Sequence, residues 1–365
     1  MIVLHFHFLK IQSIFATLPY NRPMKSKKIS RSLPSIWPER FLMSFCLGLF
    51  CLSLTQCQNE QDPEHIIRAS MAFNEQHTWY KAFVYFGELL EERSDGRIKL
   101  EVYPSEQLAK EMETIRLIQA EVVEMTATGS SLSNWIEIAA FCELPFLVQS
   151  YEELESLING PIGKRIEKEM IEKTGLRPVT YFVRGPRQLT SNRPIRHPDD
   201  LQGLILRIPN VPSYVTAWSA MGAKPTPMAL SEVFTGLQQG TIEGLENPFA
   251  LILNAGFAEV QDYVNVTEHV MSWAYPVIGE KQFQKLPDDL KTIFLEAAKD
   301  MQTYERGLFE ANEKDVKEAL KAKGMEFIEV DKAAFAAKCK KAIYESLSPE
   351  MKLVYQEIID ARTPK

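Results

Sequence analysis

The stretch HIIRASMAFNEQHTWYKAFVYFGELLEERSDGRIKLEVYP, residues 65–104, decides the fold class. Its first residues, HIIRASMAF, predict a strand, and a helical pattern then runs over residues 76–93 and ends near SDGR. The apolar residues of IKLEVYP alternate as in a second strand. A strand, a helix and a strand in this order favour a parallel βαβ unit, which predicts an α/β fold.

The same alternation continues along the chain. A helix over LAKEMETIRLIQ and a strand over VVEMTATG follow, and two further helices are predicted at 211–222 and 230–239. The later strand-like segments are VTYFV, RQLTS, GLILRI, IEGLEN and the long run DYVNVTEHVMSWAYPVI.

Residues 287–322 are predicted to form one long helix. Its apolar residues share one face, at positions 290, 293, 294, 297, 301, 304 and 308. Pro287 suits the start of this helix and Gly324 suits its end. At 1.5 Å per residue the helix would be about 50 Å long, so it is expected to brace two lobes.

The first 56 residues differ from the rest in charge and hydropathy. They hold seven of the 41 basic residues and one of the 48 acidic residues. Basic MKSKKISRSLPSIWPER precedes the uncharged run FLMSFCLGLFCLSL and a polar segment, which is the order of a secretory signal. The uncharged run is shorter than the roughly 20 residues that a membrane-spanning helix needs. Export from the cytoplasm is therefore expected.

Three cysteines follow the uncharged run. Cys57 lies directly after LSLTQ, where a bacterial lipoprotein signal places its lipidated cysteine, but Gln56 stands where such signals prefer a small residue. Lipidation of Cys57 therefore stays an open alternative, and it would anchor the protein to a membrane surface without spanning it. Cys142 and Cys339 form no disulfide framework, although one pair stays open.

Charge and motif content exclude several classes of protein. Residues 57–365 hold 34 basic and 47 acidic side chains, and this net charge of −13 repels nucleic acid. The sequence contains no HExxH, CxxC, GxGxxG, phosphate-binding loop or GxSxG motif. Neither a metal nor a cofactor nor an enzyme activity is expected, although a triad of scattered Ser, His and Asp residues stays open.

The segment RGPRQLTSNRPIRHPDDLQGLILRIPN, residues 184–210, is rich in arginine although the chain is acidic. Its members fall into two groups. Arg187 and Arg207 lie in strand-like segments, where a guanidinium needs an anion because burying it unpaired is costly. That anion is either a carboxylate of this chain or the carboxylate of a ligand in a bidentate clamp. The arginines near prolines and polar residues are predicted to be solvated loop charges: Arg184, Arg193 and Arg196.

The segment GTIEGLENPFA, residues 240–250, adds a polar side chain. Asn247 followed by Pro248 ends a predicted strand and opens a helix, so its amide is a candidate for the edge of a cleft. A turn or capping asparagine is the alternative.

These segments resemble the solute receptors of TRAP transporters, the tripartite ATP-independent periplasmic family of DctP type. The resemblance covers nearly all of residues 66–345, and its pieces are DGRIKLEVYPSEQLAKEMETIRLIQ, ELPFLVQSYEEL, GPRQLTSNRPIRHPDDLQGLILRIPN, MGAKPTPMALSEVFTGLQQGTIEGLENP and FAEVQDYVNVTEH. It implies a two-lobed α/β periplasmic binding protein, class II-like, with crossing strands and a long helix that spans both lobes.

The resemblance also implies a function. Such a receptor binds an organic acid in the periplasm and delivers it to the small and large permease subunits, without a cofactor. Arg207 matches the family's main carboxylate-binding arginine, Arg187 matches the second arginine, and Asn247 matches the asparagine that shares the carboxylate. A receptor for a signalling protein and an enzyme on the same scaffold are the alternatives.

Further positions of the pocket follow from the resemblance. The candidates for the lining are His77, Glu111, Gly129, Asn210 and Trp273. A core tryptophan between the lobes is an equal alternative for Trp273. Ala72, Gly129 and Leu230 depart from the sialic-acid receptors of the family, so sialic acid is not expected and the acid itself stays open.

The expected organisation has four parts. They are a leader at 1–56, lobe I with the connecting helix at 58–184 and 275–325, lobe II at 185–274, and C-terminal helices at 326–365 that pack on the lobes.

Overall fold

A computed structural model describes residues 62–361, which fold as an α/β protein. The strands are β1 His65–Ser70, β2 Ile98–Tyr103, β3 Met125–Thr128, β4 Leu176–Pro178, β5 Phe182–Ser191, β6 Ile205–Ile208, β7 Lys224–Pro227, β8 Gly244–Pro248, β9 Tyr263–Gly279 and β10 Glu326–Glu329. The α-helices are α1 Thr78–Arg93, α2 Glu111–Gln119, α3 Tyr151–Asn159, α4 Pro161–Glu169, α5 Pro212–Ala220, α6 Leu230–Gln238, α7 Phe249–Asn254, α8 Glu280–Gln284, α9 Asp288–Ala322, α10 Lys332–Ser346 and α11 Pro349–Asp360.

The first βαβ unit forms as the sequence predicts. Strands β1 and β2 pair in parallel, with His65 opposite Ile98 and Ser70 opposite Tyr103. Helix α1 connects them and buries an aromatic face that includes Phe83. This unit packs against α9, so the strand–helix alternation in the sequence correctly predicts the fold class.

A single sheet runs through the described residues in the order β2-β1-β3-β9-β5-β8-β6-β7. Strand β9 has 17 residues, and its two ends pair with different neighbours. Strand β10 pairs with β9 near its start, and β3 and β4 pair with it near its end, whereas β5 pairs with it from Tyr263 to Ala274. Strands β5 and β9 therefore cross from one half of the sheet to the other, and the predicted crossing strands are observed.

The predicted long helix is α9, with 35 residues. Leu290, Phe294 and Met301 are buried on the face that the periodicity predicts. Further along, Tyr304 is exposed and stacks on Tyr85, with ring centroids 4.4 Å apart. The prediction that Tyr304 shares the buried face is therefore wrong. The adjacent Glu305 is buried instead, and its carboxylate accepts a hydrogen bond from the Thr78 hydroxyl at the start of α1, at 2.8 Å.

Two predictions about the middle of the chain need correction. VTYFV and RQLTS are not separate strands, because residues 182–191 form the continuous strand β5, whose pairing with β9 shifts register between Arg184 and Arg187. Arg184 is consequently a strand residue, and its predicted loop position is wrong. Cys142 and Cys339 are both free and buried.

The segments that the sequence relates to a membrane, the leader and the candidate lipidation site, lie at the start of the chain. Among residues 62–361, no helix is both long and apolar enough to cross a bilayer. The predicted leader at 1–56 and the candidate lipidation residue Cys57 lie outside the described residues.

The packing of α9 against α1 predicts a large effect of one truncation. Phe294 is fully buried, and its ring lies edge-on to Phe86, with centroids 5.0 Å apart. Phe294→Ala should lower the free energy of unfolding by about 3–5 kcal/mol, because it leaves a cavity in the core. The exposed neighbour Leu295 provides the control, since Leu295→Ala should cost about 0.5 kcal/mol or less. Urea denaturation measures both, and equal losses would contradict this packing.

Candidate ligand-binding site

One cavity of about 390 Å³ collects polar side chains from both halves of the sheet. Its walls include the end of β3 and the start of α2 on one side, and residues of β5, β6 and β8 on the other. Pockets of about 300–1,000 Å³ are typical of small-molecule sites. The cavity is therefore large enough for a small organic ligand.

Arg207 extends into this cavity from β6, which pairs with β7 and β8. The residue is only 4% exposed, and its Nε and Nη2 both donate to the carbonyl oxygen of Met228, at 3.0 and 2.6 Å. No carboxylate within residues 62–361 forms a salt bridge with it. Burial lowers the pKa of Arg207 to about 10, which leaves the guanidinium cationic at neutral pH. The cavity therefore contains a fixed cation that lacks a carboxylate partner from the described chain.

Asn247 lies on β8, the strand next to β6, two residues after Leu245, which pairs with Arg207. Its side chain is 2% exposed and lines the cavity. Among the described residues, the Nδ2 group has no hydrogen-bond acceptor. Buried donors are nearly always paired in native proteins, so an orphaned amide at a cavity wall indicates an acceptor supplied by a ligand or water. A turn or capping role, the alternative for Asn247, leaves this group unexplained.

Arg187 also lines the cavity, but a carboxylate of the chain neutralises it. The residue is 2% exposed on β5, and its guanidinium forms a two-point ion pair with Glu246. Its Nη2 also donates to the Glu246 carbonyl oxygen at 2.8 Å, and His269 Nε2 lies 3.1 Å from the same carboxylate. The internal salt bridge that the sequence leaves open is thus present for Arg187. The cation is held in the cavity wall rather than left free.

Burial and ion pairing have opposite effects on the pKa of Glu246. Burial alone would raise the pKa of this carboxyl, but the charge of Arg187 and hydrogen bonds from His269 and Arg187 outweigh it. The pKa of Glu246 falls to about 2 as a result. Burial lowers the pKa of His269, which favours the neutral imidazole.

Sequence reasoning misses a second buried ion pair in the wall. Arg184 lines the cavity, and its Nη1 donates to Glu143 Oε1 at 2.7 Å. The other oxygen of Glu143 accepts from the Tyr214 hydroxyl at 2.8 Å. The Arg184 guanidinium lies over Trp79, with Cζ 5.6 Å from the ring centroid. A signal was present in the sequence, since Arg184 directly follows VTYFV and keeps the strand's alternation with Phe182.

Three other predicted lining positions do line the cavity. Glu111, the first residue of α2, accepts a hydrogen bond from the Thr128 hydroxyl at 2.9 Å. Gly129 follows β3, and an added Cβ there would lie 3.0 Å from the Trp273 carbonyl oxygen. Asn210 is exposed at the mouth, where its carbonyl oxygen accepts from Asn134 Nδ2 at 2.9 Å.

His77 and Trp273 are not among the described residues that line the cavity. His77 caps α1, where its Nδ1 accepts from Trp79 N at 3.1 Å and its ring stacks on Phe73. Burial, with the charges of Arg184 and Lys81, lowers the pKa of His77 to about 3. Trp273 is 0% exposed within β9. Both lie behind the wall because the cap and the strand register turn them into the core, and Trp273 follows the core alternative.

Residues 69–350 of the chain match a known protein family. The family model described as bacterial extracellular solute-binding protein, family 7 (DctP) matches residues 69–350. The chain belongs to this family. A solute-binding protein of Roseobacter denitrificans is 48% identical over 285 residues, which cover 78% of this chain and 88% of that protein.

Two solved structures of TRAP periplasmic solute-binding proteins are similar to this receptor. One, from Roseobacter denitrificans with bound L-galactonate, has a TM-score of 0.80 and 46% identity, and covers 82% of this chain and 100% of that chain. Another, from Haemophilus influenzae with bound L-gulonate, has a TM-score of 0.76 and 32% identity over the same shares. These neighbours confirm the predicted two-lobed class, and this receptor is a TRAP solute-binding protein.

The buried pair of Arg187 and Glu246 predicts a pH-dependent loss of stability. Glu246→Gln should lower the free energy of unfolding at pH 7 by about 3–5 kcal/mol, because it leaves a buried guanidinium unpaired. The folded pKa of Glu246, about 2, lies below its ordinary value of 4.5. Its contribution is therefore complete above pH 4.5 and is lost as the pH falls toward 2.

Denaturation of both proteins between pH 7 and pH 2.5 measures this loss. The stability gap between wild type and Glu246→Gln should narrow below pH 4.5. Glu259→Gln, which changes an exposed residue, should track the wild type throughout. A gap that stays constant over this pH range would contradict the ionised pair.

Proposed function

We propose that this receptor captures a sugar acid of the aldonate type in the periplasm and delivers it to the membrane subunits of a TRAP transporter. The observation that carries the proposal is the buried Arg207 guanidinium, which faces the cavity without a carboxylate partner from the described residues. The bound L-galactonate and L-gulonate of the two similar structures support this class of acid.

The ligand carboxylate binds at the free edge of Arg207. The Met228 carbonyl oxygen takes one N–H from Nε and one from Nη2. Further N–H donors remain on Nη1 and Nη2, and their spacing matches the two oxygens of a carboxylate. The Met228 contact also fixes the plane of the guanidinium, so less side-chain freedom is lost when the ligand binds.

Asn247 and Arg187 complete this end of the site. The Nδ2 group of Asn247 donates to the same carboxylate, which satisfies a donor that the described chain leaves unpaired. Arg187 lines this end of the site, and Glu246 holds its guanidinium in one orientation. The carboxylate therefore exchanges its hydration for fixed donors in a site with low water content.

Closure of two lobes traps the ligand, with lobe I at 58–184 and 275–325 and lobe II at 185–274. Three contacts cross between these segments at the mouth of the cavity. They are the ion pair of Lys110 with Glu232 at 2.6 Å, the hydrogen bond from Ser231 N to Glu106 at 3.2 Å, and the hydrogen bond from Asn134 to Asn210. A ligand drives closure only through its better contacts in the closed form, and Arg207 supplies them.

The receptor delivers the acid by releasing it, not by converting it chemically. Binding requires no covalent step, so the acid is expected to leave the site unchanged and to enter the permease. A lipid on Cys57 would keep the receptor near the membrane that holds its permease. Recovery of intact acid after denaturation of the loaded receptor tests this point, whereas a chemically altered product would favour an enzyme.

Arg207→Lys tests the clamp because it keeps the charge and removes the planar fork. A lost charge-assisted hydrogen bond is worth about 1.5–3 kcal/mol, so affinity for L-galactonate should fall about 10- to 150-fold. Isothermal titration calorimetry measures this change. Arg196→Lys, the same substitution at an exposed arginine, should leave affinity unaltered. Equal affinities of wild type and Arg207→Lys would refute the clamp.

A further inference from the structure

The cavity has two chemically different walls. Arg187, Asn247 and Arg207 come from β5, β8 and β6, which are neighbours in the sheet. Glu111 and Thr128 belong to α2 and β3, and β3 lies on the other side of β9 from those strands. The carboxylate clamp and Glu111 therefore occupy opposite walls of one cavity.

The cations of the cavity are almost all neutralised by the chain itself. Four cationic side chains line it among the described residues, and three of them are bonded to carboxylates. These pairs are Lys110 with Glu232, Arg184 with Glu143, and Arg187 with Glu246. Arg207 is the remaining cation, and one ligand carboxylate neutralises it. A second ligand carboxylate would find no free cation in the described lining.

The cavity lining also contains a carboxylate that no cation of the described chain neutralises. Glu111 forms no salt bridge among residues 62–361, and its carboxylate accepts hydrogen bonds from the hydroxyls of Thr128 and Ser131. Burial raises the pKa of Glu111, although the Thr128 and Ser131 hydroxyls oppose this shift. Each carboxylate oxygen accepts more than one hydrogen bond, so Glu111 retains acceptor capacity on the cavity side.

We infer that Glu111 is a specificity-determining residue that accepts hydrogen bonds from ligand hydroxyls remote from the clamped carboxylate and excludes a second carboxylate there. The receptor thus selects monocarboxylate sugar acids over the matching diacids. This inference rests on the proposed function, because it assumes that Arg207 holds the first carboxylate.

Two physical effects produce the selection. A hydroxyl donates to Glu111 and gives a charge-assisted hydrogen bond, which is stronger than a bond between neutral groups. A carboxylate has no proton to donate, and its charge is repelled by Glu111 in a cavity where water screens poorly. The diacid would also bury an unpaired charge, which is costly. Discrimination built on such repulsion is stronger than discrimination by shape alone.

A matched pair of ligands isolates this effect. Galactarate differs from L-galactonate only in having a carboxylate in place of the terminal hydroxymethyl group. Calorimetry at pH 7.5 should show that wild-type receptor prefers L-galactonate by at least about 100-fold. In Glu111→Gln, affinity for L-galactonate should fall about tenfold, while galactarate gains an amide donor. The preference should therefore shrink by at least about tenfold.

Glu113→Gln is the control variant. Glu113 is exposed two residues later on the same helix, so the substitution removes an equal charge without changing the cavity. Its preference should equal that of wild type, which separates a local contact from the general repulsion of a dianion by an acidic protein. Thermal unfolding in the absence of ligand shows whether each variant is folded.

The outcomes distinguish this inference from the proposed function. Wild type that binds both acids with similar affinity would overturn the inference and leave the sugar-acid receptor intact. An unchanged preference in folded Glu111→Gln would overturn it as well. If Glu111→Gln does not fold, the wild-type preference alone decides. If wild type binds none of the three acids L-galactonate, L-gulonate and galactarate, the proposed function itself is overturned.

Discussion

The site depends on one buried guanidinium that lacks a carboxylate counterion within residues 62–361. Burying a cation in this state costs free energy, which is reflected in the lowered pKa of Arg207. The Met228 carbonyl oxygen offsets part of this cost but carries no full negative charge. In the proposed mode of binding, a ligand carboxylate supplies the missing negative charge. The folded receptor therefore has a site that is electrostatically suited to an anionic ligand.

The surrounding charges keep this preference specific. Glu143 and Glu246 neutralise Arg184 and Arg187, so the wall contains rigid arginines without a large excess of positive charge. Such buried pairs contribute little net stability compared with apolar packing, but removing one partner is expensive. Their effect here is to fix the shape and the potential of the wall. A loosely held set of cations would bind many anions, whereas one unneutralised arginine is expected to select a single carboxylate.

The sequence predicts most of the fold because its periodic segments also form the core. The βαβ unit, strand β9 and helix α9 appear close to their predicted bounds. Tyr304 departs from its predicted burial because the next residue, Glu305, is buried against the start of α1 instead, a tertiary contact that periodicity does not encode. Helices α3 and α4 are not predicted from the sequence. Each has only nine residues, which is too short for a strong periodic pattern.

The candidate site is only partly predictable. Family resemblance leads to Arg207 and Asn247, because both stand in short motifs whose backbone positions the fold fixes. The partner of Arg187 is not evident from sequence, since Glu246 is one of many carboxylates and becomes its neighbour only through the β5–β8 pairing. The same limit explains Arg184, and also His77 and Trp273, whose side-chain directions depend on a helix cap and on strand register.

A crystal structure of the receptor with L-galactonate would show whether Arg207 holds the ligand carboxylate. Both oxygens of the acid's COO⁻ group should lie about 2.7–2.9 Å from Nη1 and Nη2 of Arg207, with the Asn247 amide bonded to the same group. Electron density that places this group elsewhere in the cavity, with Arg207 bonded only to Met228, would contradict it.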